Sequence, residues 1–255
     1  MEDADIKEAV KLNTLMLLHE KYGITERDFT RAEIEVVPAH KARDVGFDRS
    51  MVGGYGHDDR VDAYPALMAE IETKDPVHTT VCVLTDKEEI GSDGVTGMQS
   101  MYVFHFMQLL CRAAGQDDIL AFQNSVCLSA DVTAAYDPSW QMPSSRRTVL
   151  TQAAAWPSSS TPAARQELCQ RCFRRAGRGH HPPAGCQWCG MQIGELGRLD
   201  LGGGGTIAKY VANRGIPVLD IGVPVLSMHS PFEVIHKTDL YMAYRTFALF
   251  CQNAD

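Results

Sequence analysis

Nowhere in these 255 residues is there an apolar run long enough to cross a bilayer, which takes about 20 consecutive apolar residues. No leader is expected either, since the sequence opens on the acidic stretch "MEDADIKEAV", without the basic and apolar character of a signal or transit peptide. Positive charge is short, 24 Lys and Arg against 32 Asp and Glu for a formal net charge of -8. That sign argues against a general nucleic-acid or anionic-membrane surface. A nucleotide cradle is missing too, because the run Gly202 to Gly205 is followed by Lys209 but by no Gly-Lys-Ser/Thr. These absences predict a cytoplasmic protein with no membrane or nucleic-acid partner. Eight cysteines are present, but Cys82, Cys111, Cys127 and Cys251 are scattered through apolar segments, where a free thiol packs as a small hydrophobe.

What is present alternates between helical and strand periodicity, and the length is ample for a full core. Residues 4–22 have helical spacing stopped by Gly23, and "AEIEVVPA" predicts a short strand. A helix from about Asp59 to Thr73 precedes a β-branched run, "HTTVCVLT", which predicts a buried strand; an amphipathic helix follows over 97–115. Then come strand "SVCLSAD", the turn "DLGGGGT", helix "IAKYVANRG", strand "IPVLDIG" and a closing helix in "TDLYMAYRTFALFCQN". The alternation predicts an α/β fold of three layers, a mostly parallel sheet with helices on both faces.

Residues 141–189 break that pattern, with seven arginines, one acidic residue and no lysine, isoleucine or tyrosine. The segment carries Cys169-x-x-Cys172 and Cys186-x-x-Cys189, close to zinc-ribbon spacing, with His180 and His181 nearby.

Polar groups collect where the predicted strands end. "GYGHDDR" offers Asp58 and Asp59, "DKEEIGS" offers Glu88 and Glu89, "LSAD" ends in Asp131, and "LSMHSPFE" places His229 after an apolar run. Taken singly, each has a structural use as a turn, N-cap or loop residue. Together they sit at the carboxyl ends of strands, where open α/β sheets keep their sites. Converging carboxylates repel by up to about 4 kcal/mol per close pair at an effective dielectric of 20. A divalent cation removes that cost, and Asp, Glu and His are the ligands of co-catalytic zinc, manganese or cobalt.

The stretches "GHDDRVDAY", "DKEEIGSDG", "SADV", "GELGRLDLGGGGTIAKYVANRGIPVLDIGVPVLSMHSPFEV" and "TDLYMAYRTF" resemble the M18 family of metalloaminopeptidases, the aspartyl aminopeptidase group in its bacterial form. The resemblance implies a dinuclear site for two divalent ions, zinc or else manganese or cobalt, on an α/β sheet. The family's bridging aspartate falls on Asp58, its general base on Glu88, and further metal ligands on Glu89, Asp131 and His229. Its glycine run lines the active site, which places Gly203 and Gly204 against a peptide substrate. It also implies a homo-oligomer.

Two departures from the family pattern are expected to matter. Residues 1–50 resemble only the end of the family's inserted dimerisation region, with 51–255 as an incomplete catalytic domain. The segment bearing the family's first histidine ligand then lies outside this chain, and none of His19, His40, His57 or His78 has its motif. One metal position is therefore expected to be weakened or lost. In 141–189 the family has a lysine segment and a "DASAE" motif, whereas this chain has Gln152 at the lysine's place. "CQRCFRRA" can be encoded so that dropping one base yields "ANDASAE", so this stretch is expected to be a reading-frame change and without order of its own. The functions left open are a metal-dependent aminopeptidase acting on N-terminal residues, acidic ones if it follows the aspartyl-preferring members, a truncated inactive homologue, and an α/β domain carrying a zinc-ribbon binding module.

Overall fold

The layers follow from one segment, 216–225, whose residues alternate between two cores. The computed structural model describes residues 8–139, 152, 156–159, 191–194 and 206–253. Ile216 and Val218 pack into a cluster with Met98, Phe104, Ala208 and Val211. Leu219, Ile221, Val223 and Val225, of opposite parity, join Val61, Ala69, Ile235, Ala243 and Phe247. Strand side chains alternate faces, so this segment is covered on both sides, as a parallel strand in an α/β protein must be.

The chain divides into two compact units, Met1–Ala39 and His40–Asp255. In the first, α1 (Ala9–Tyr22) ends at Gly23, left-handed at φ 70°, whose N–H donates to the His19 carbonyl. Glycine meets no Cβ penalty in that conformation. α2 (Glu26–Phe29) starts on a capping box between Thr25 and Asp28.

The second unit opens with β1 (Arg43–Val45) and β2 (Met51–Gly54), then α3 (His57–Glu72). A single 3-10 turn (Glu88–Ile90), α4 (Tyr102–Ala113), α5 (Asp118–Asn124), β3 (Cys127–Ala130) and β4 (Thr133–Ala134) follow. Next are β5 (Trp156–Ser159), β6 (Met191–Gly194), α6 (Ala208–Ala212), β7 (Val218–Ile221), β8 (Pro224–Val225), β9 (Glu233–His236) and α7 (Lys237–Asn253). Parallel ladders join β3 to β7, β4 to β8 and β5 to β6. An antiparallel sheet has the order β1-β2-β9. The core residues of α3 and α7 lie in one cluster and those of α4 and α6 in the other, which gives the expected helices on both faces.

Two predicted strands do not form among the described residues. Residues 79–85 form no ladder with any described residue, and Val81, Val83 and Leu84 are exposed. An apolar β-branched run becomes a strand only when a partner edge supplies its hydrogen bonds. "AEIEVVPA" is likewise without a ladder, and Val36 is almost fully exposed. The strand forms later, at Arg43–Val45, because the short turn to Met51–Gly54 closes a hairpin in antiparallel register. Cys82, Cys111, Cys127 and Cys251 are free thiols, as expected. No described helix is long and apolar enough to cross a membrane.

Candidate metal centre

The polar groups arrive from four connections. Asp58 and Asp59 lie where β2 turns into α3, both with non-helical backbone, and the peptide between them is cis. Glu88 and Glu89 occupy the 3-10 turn, flanked by Lys87 at φ 69° and Gly91 at φ 86°. The Gly91 carbonyl pins that turn, accepting from Gln99 Nε2 at 2.7 Å and the Tyr210 hydroxyl at 2.9 Å. Asp131 directly follows β3, its N–H donating to the Ile221 carbonyl at 3.1 Å. His229 lies between β8 and β9 at φ 63°, a left-handed conformation that costs a non-glycine residue about 1–3 kcal/mol and clusters at functional sites.

These connections bring the predicted residues together. His229 Nε2 stands 3.0 Å from Asp58 Oδ2 and 3.2 Å from Glu89 Oε2. Asp58, Glu89 and His229 offer donor atoms within 4.8 Å of one another, and so do Asp58, Asp59 and Asp131. Asp58 belongs to both groups, so two three-donor clusters share one carboxylate. Glu88 belongs to neither. Its pKa is raised by burial first and by Glu89 second, against the opposing influence of His229 and Lys209.

The electrostatics of this corner are those of crowded, dehydrated carboxyls. Burial pushes Asp58 up to about 7, with Glu89 adding to the effect, and Asp131 up to about 8, with Glu88 and Asp58 adding to it. Asp59 rises to about 11 and Asp62 to about 7, burial again first in each. Asp62 accepts from the Val223 N–H at 3.2 Å, yet among the described residues its Oδ1 and the Oδ1 of Asp59 are buried without a hydrogen-bond partner. Among the described residues no lysine or arginine pairs with Asp58, Glu89 or Asp131, and the His229 imidazole is the basic group found beside Asp58 and Glu89. Buried carboxylates persist only when paired, protonated or coordinating a metal. Orphaned oxygens beside an oxygen-and-imidazole donor set fit a divalent cation, because ions such as zinc take those donors.

Of the residues singled out in the sequence, Asp58, Glu88, Glu89, Asp131 and His229 thus meet at one corner. Gly203 and Gly204 lie outside the described residues, as do Cys169, Cys172, Cys186 and Cys189. His19, His40, His57 and His78 join neither donor group among the described residues. Asp59, noted in sequence only as a strand-end group, lies with Asp58 and Asp131 in the second cluster. Asp62 and Glu233 were not anticipated at all. The signal for Asp62 was its place in "HDDRVDAY", one helical turn beyond Asp58; nothing marked Glu233 beyond its position after His229.

Comparison with known proteins finds a matching family and similar solved structures. The family model described as aminopeptidase I zinc metalloprotease (M18) matches residues 1–151 and 184–251. The internal gap in that match, 152–183, falls inside the compositionally odd stretch. A probable M18 family aminopeptidase 1 from Clostridium acetobutylicum is 39% identical over 270 residues, which cover 99% of this chain and 56% of that protein. The crystal structure of an M18 aminopeptidase from Thermotoga maritima superposes with a TM-score of 0.83 at 36% identity, covering 95% of this chain and 55% of the other. Aminopeptidase I from Clostridium acetobutylicum gives 0.81 at 38% identity, covering 97% and 54%. The chain therefore spans about half the length of the curated relatives it matches.

Proposed function

This chain belongs to the M18 family of zinc metallopeptidases, and from that premise we propose that it works as a metal-dependent aminopeptidase, removing N-terminal residues from peptides. The observation that carries the proposal is the convergence of His229 Nε2 on Asp58 and Glu89, with Glu88 beside them and outside both donor groups. Asp58, Glu89 and His229 would hold one divalent ion, and Asp58, Asp59 and Asp131 a second. When bound, the metal supplies Lewis acidity toward the scissile carbonyl and acidifies water.

The remaining work falls to the chain's own side chains. Glu88, its pKa raised by burial, accepts a proton from the attacking water and returns it to the leaving amine, a role that favours a pKa moved toward neutrality. Glu89 and His229 are fixed as donors by the turn and loop that carry them. Gly203 and Gly204 remain part of the proposal as substrate-lining residues, and a peptide substrate and a homo-oligomeric assembly come with the family.

Incubating the chain with short peptides and added zinc, manganese or cobalt tests the proposal. Free N-terminal amino acid should be released in a metal-dependent way and stop on adding a chelator. Release that a chelator leaves untouched would rule the mechanism out.

A further inference from the structure

One buried acid at this corner is outside both donor groups yet touches the backbone of each side. Glu233, the first residue of β9, is 2% exposed. Its Oε2 accepts from the Asp58 N–H at 3.1 Å, and its Oε1 accepts from the His229 N–H at 2.8 Å. The two donors come from connections far apart in sequence, one leading into α3 and the other leaving β8. A single carboxyl group therefore spans them, with each oxygen committed to one amide.

The carboxyl group is itself held in place. Glu233 pairs with Gly54 in the β2–β9 ladder. The Phe232 ring beside it fills space that only a glycine at 53 leaves, since a Cβ there would lie 2.2 Å from Phe232 Cζ. Phe232 also packs against His40, with ring centroids 5.4 Å apart. The loop carrying His229 is tightened by Ser230, whose hydroxyl donates to the Phe232 carbonyl at 2.9 Å and accepts its N–H at 3.2 Å.

We propose that Glu233 is a positioning residue for the metal centre, setting the separation of Asp58 and His229 by bridging their amides. This rests on the reading of Asp58, Glu89 and His229 as metal ligands. Residues that orient ligands without touching the metal are commonly worth about 10- to 100-fold in affinity. Glutamine has nearly the same shape but only one acceptor oxygen, and its NH2 would face an N–H, so Glu233→Gln breaks one of the two bonds.

The test compares the full chain with E233Q by zinc titration, by the visible spectrum of the cobalt-loaded protein, and by hydrogen exchange at the Asp58 and His229 amides. Expected in E233Q are zinc binding weakened by about 10- to 100-fold, changed cobalt bands, and faster exchange at those two amides. Unaltered zinc affinity with an unaltered cobalt spectrum would overturn the proposal, and so would a lowered melting temperature with the cobalt spectrum intact, which marks a purely structural role. If the parent chain takes up neither metal, the functional reading falls on its own and exchange decides: faster exchange at the two amides keeps the bridge, unchanged exchange removes it. Should E233Q not fold, Glu233→Asp is read in the same way, since its shorter side chain cannot span both amides. Parent-like values in that variant would overturn the proposal.

Discussion

Replacing Glu88 by glutamine is expected to lower peptidase turnover by about two to four orders of magnitude, the range that positioned acid–base catalysis supplies, while leaving metal content nearly unchanged. The asymmetry follows from geometry. Glu89 lies in a donor group with Asp58 and His229, whereas Glu88, its neighbour on the same 3-10 turn, lies in none. Glutamine keeps the shape and hydrogen-bonding reach of the side chain but cannot take up a proton. Glu89→Gln should instead release metal, because it removes an anionic donor from a three-donor set. Measuring kcat and bound zinc on both variants separates the roles. Equal metal retention in the two would show that the assignment within the pair is wrong.

A methyl group at Gly222 should be more damaging to the fold than most core truncations. An ideal Cβ there would lie 1.6 Å from the Asp131 carbonyl oxygen and 2.6 Å from its carbonyl carbon. These are backbone atoms at the ends of paired parallel strands, β3 and β7, so no side-chain rotation can relieve the clash. Overpacking costs about 1–3 kcal/mol where side chains can yield. Here the cost is expected at the top of that range or above it, a large share of the roughly 5–15 kcal/mol that holds a domain together. Urea denaturation of Gly222→Ala should show a lower midpoint. The strands can relieve the clash only by separating where Asp131 sits, so affinity for a second metal should fall as well. A midpoint equal to that of the parent chain would mean that β3 and β7 do not approach so closely.

These two predictions draw on different parts of what the sequence made legible. The layers were readable because helical and strand periodicities alternate along the chain, as βαβ units require, and β7 is covered on both faces at Val218, Leu219 and Ile221. The stop of α1 was readable in Gly23. Residues 79–85 misled because composition marks a run as able to form a strand but says nothing about whether an edge lies beside it. The β1–β2 hairpin was missed because its strands are only three and four residues long, too short for an alternation to register.

The site was legible where residues stand in distinctive strings, as in "HDD" and "KEE", and where an imidazole follows an apolar run. It was not legible where a lone acid reaches across the fold. Glu233 in sequence is one more carboxylate beside an apolar strand, and only the meeting of β2 with β9 brings its oxygens to the amides of Asp58 and His229. Asp62 is similar: an acid on an otherwise ordinary helix face, it is completely buried and tied to the Val223 amide.

The central claim is that Asp58, Glu89 and His229 hold a divalent metal, and that the second donor group, built of carboxylates alone, holds one less tightly. Soft or borderline ions such as zinc favour a site with imidazole over one of oxygens only. Zinc titration of the 255-residue chain, followed by mass spectrometry under native conditions, measures this directly. One tightly bound zinc, a weaker second, and loss of the tight one in His229→Ala are the expected results. Two zinc ions bound with equal strength, or a tight zinc indifferent to His229→Ala, would contradict the account.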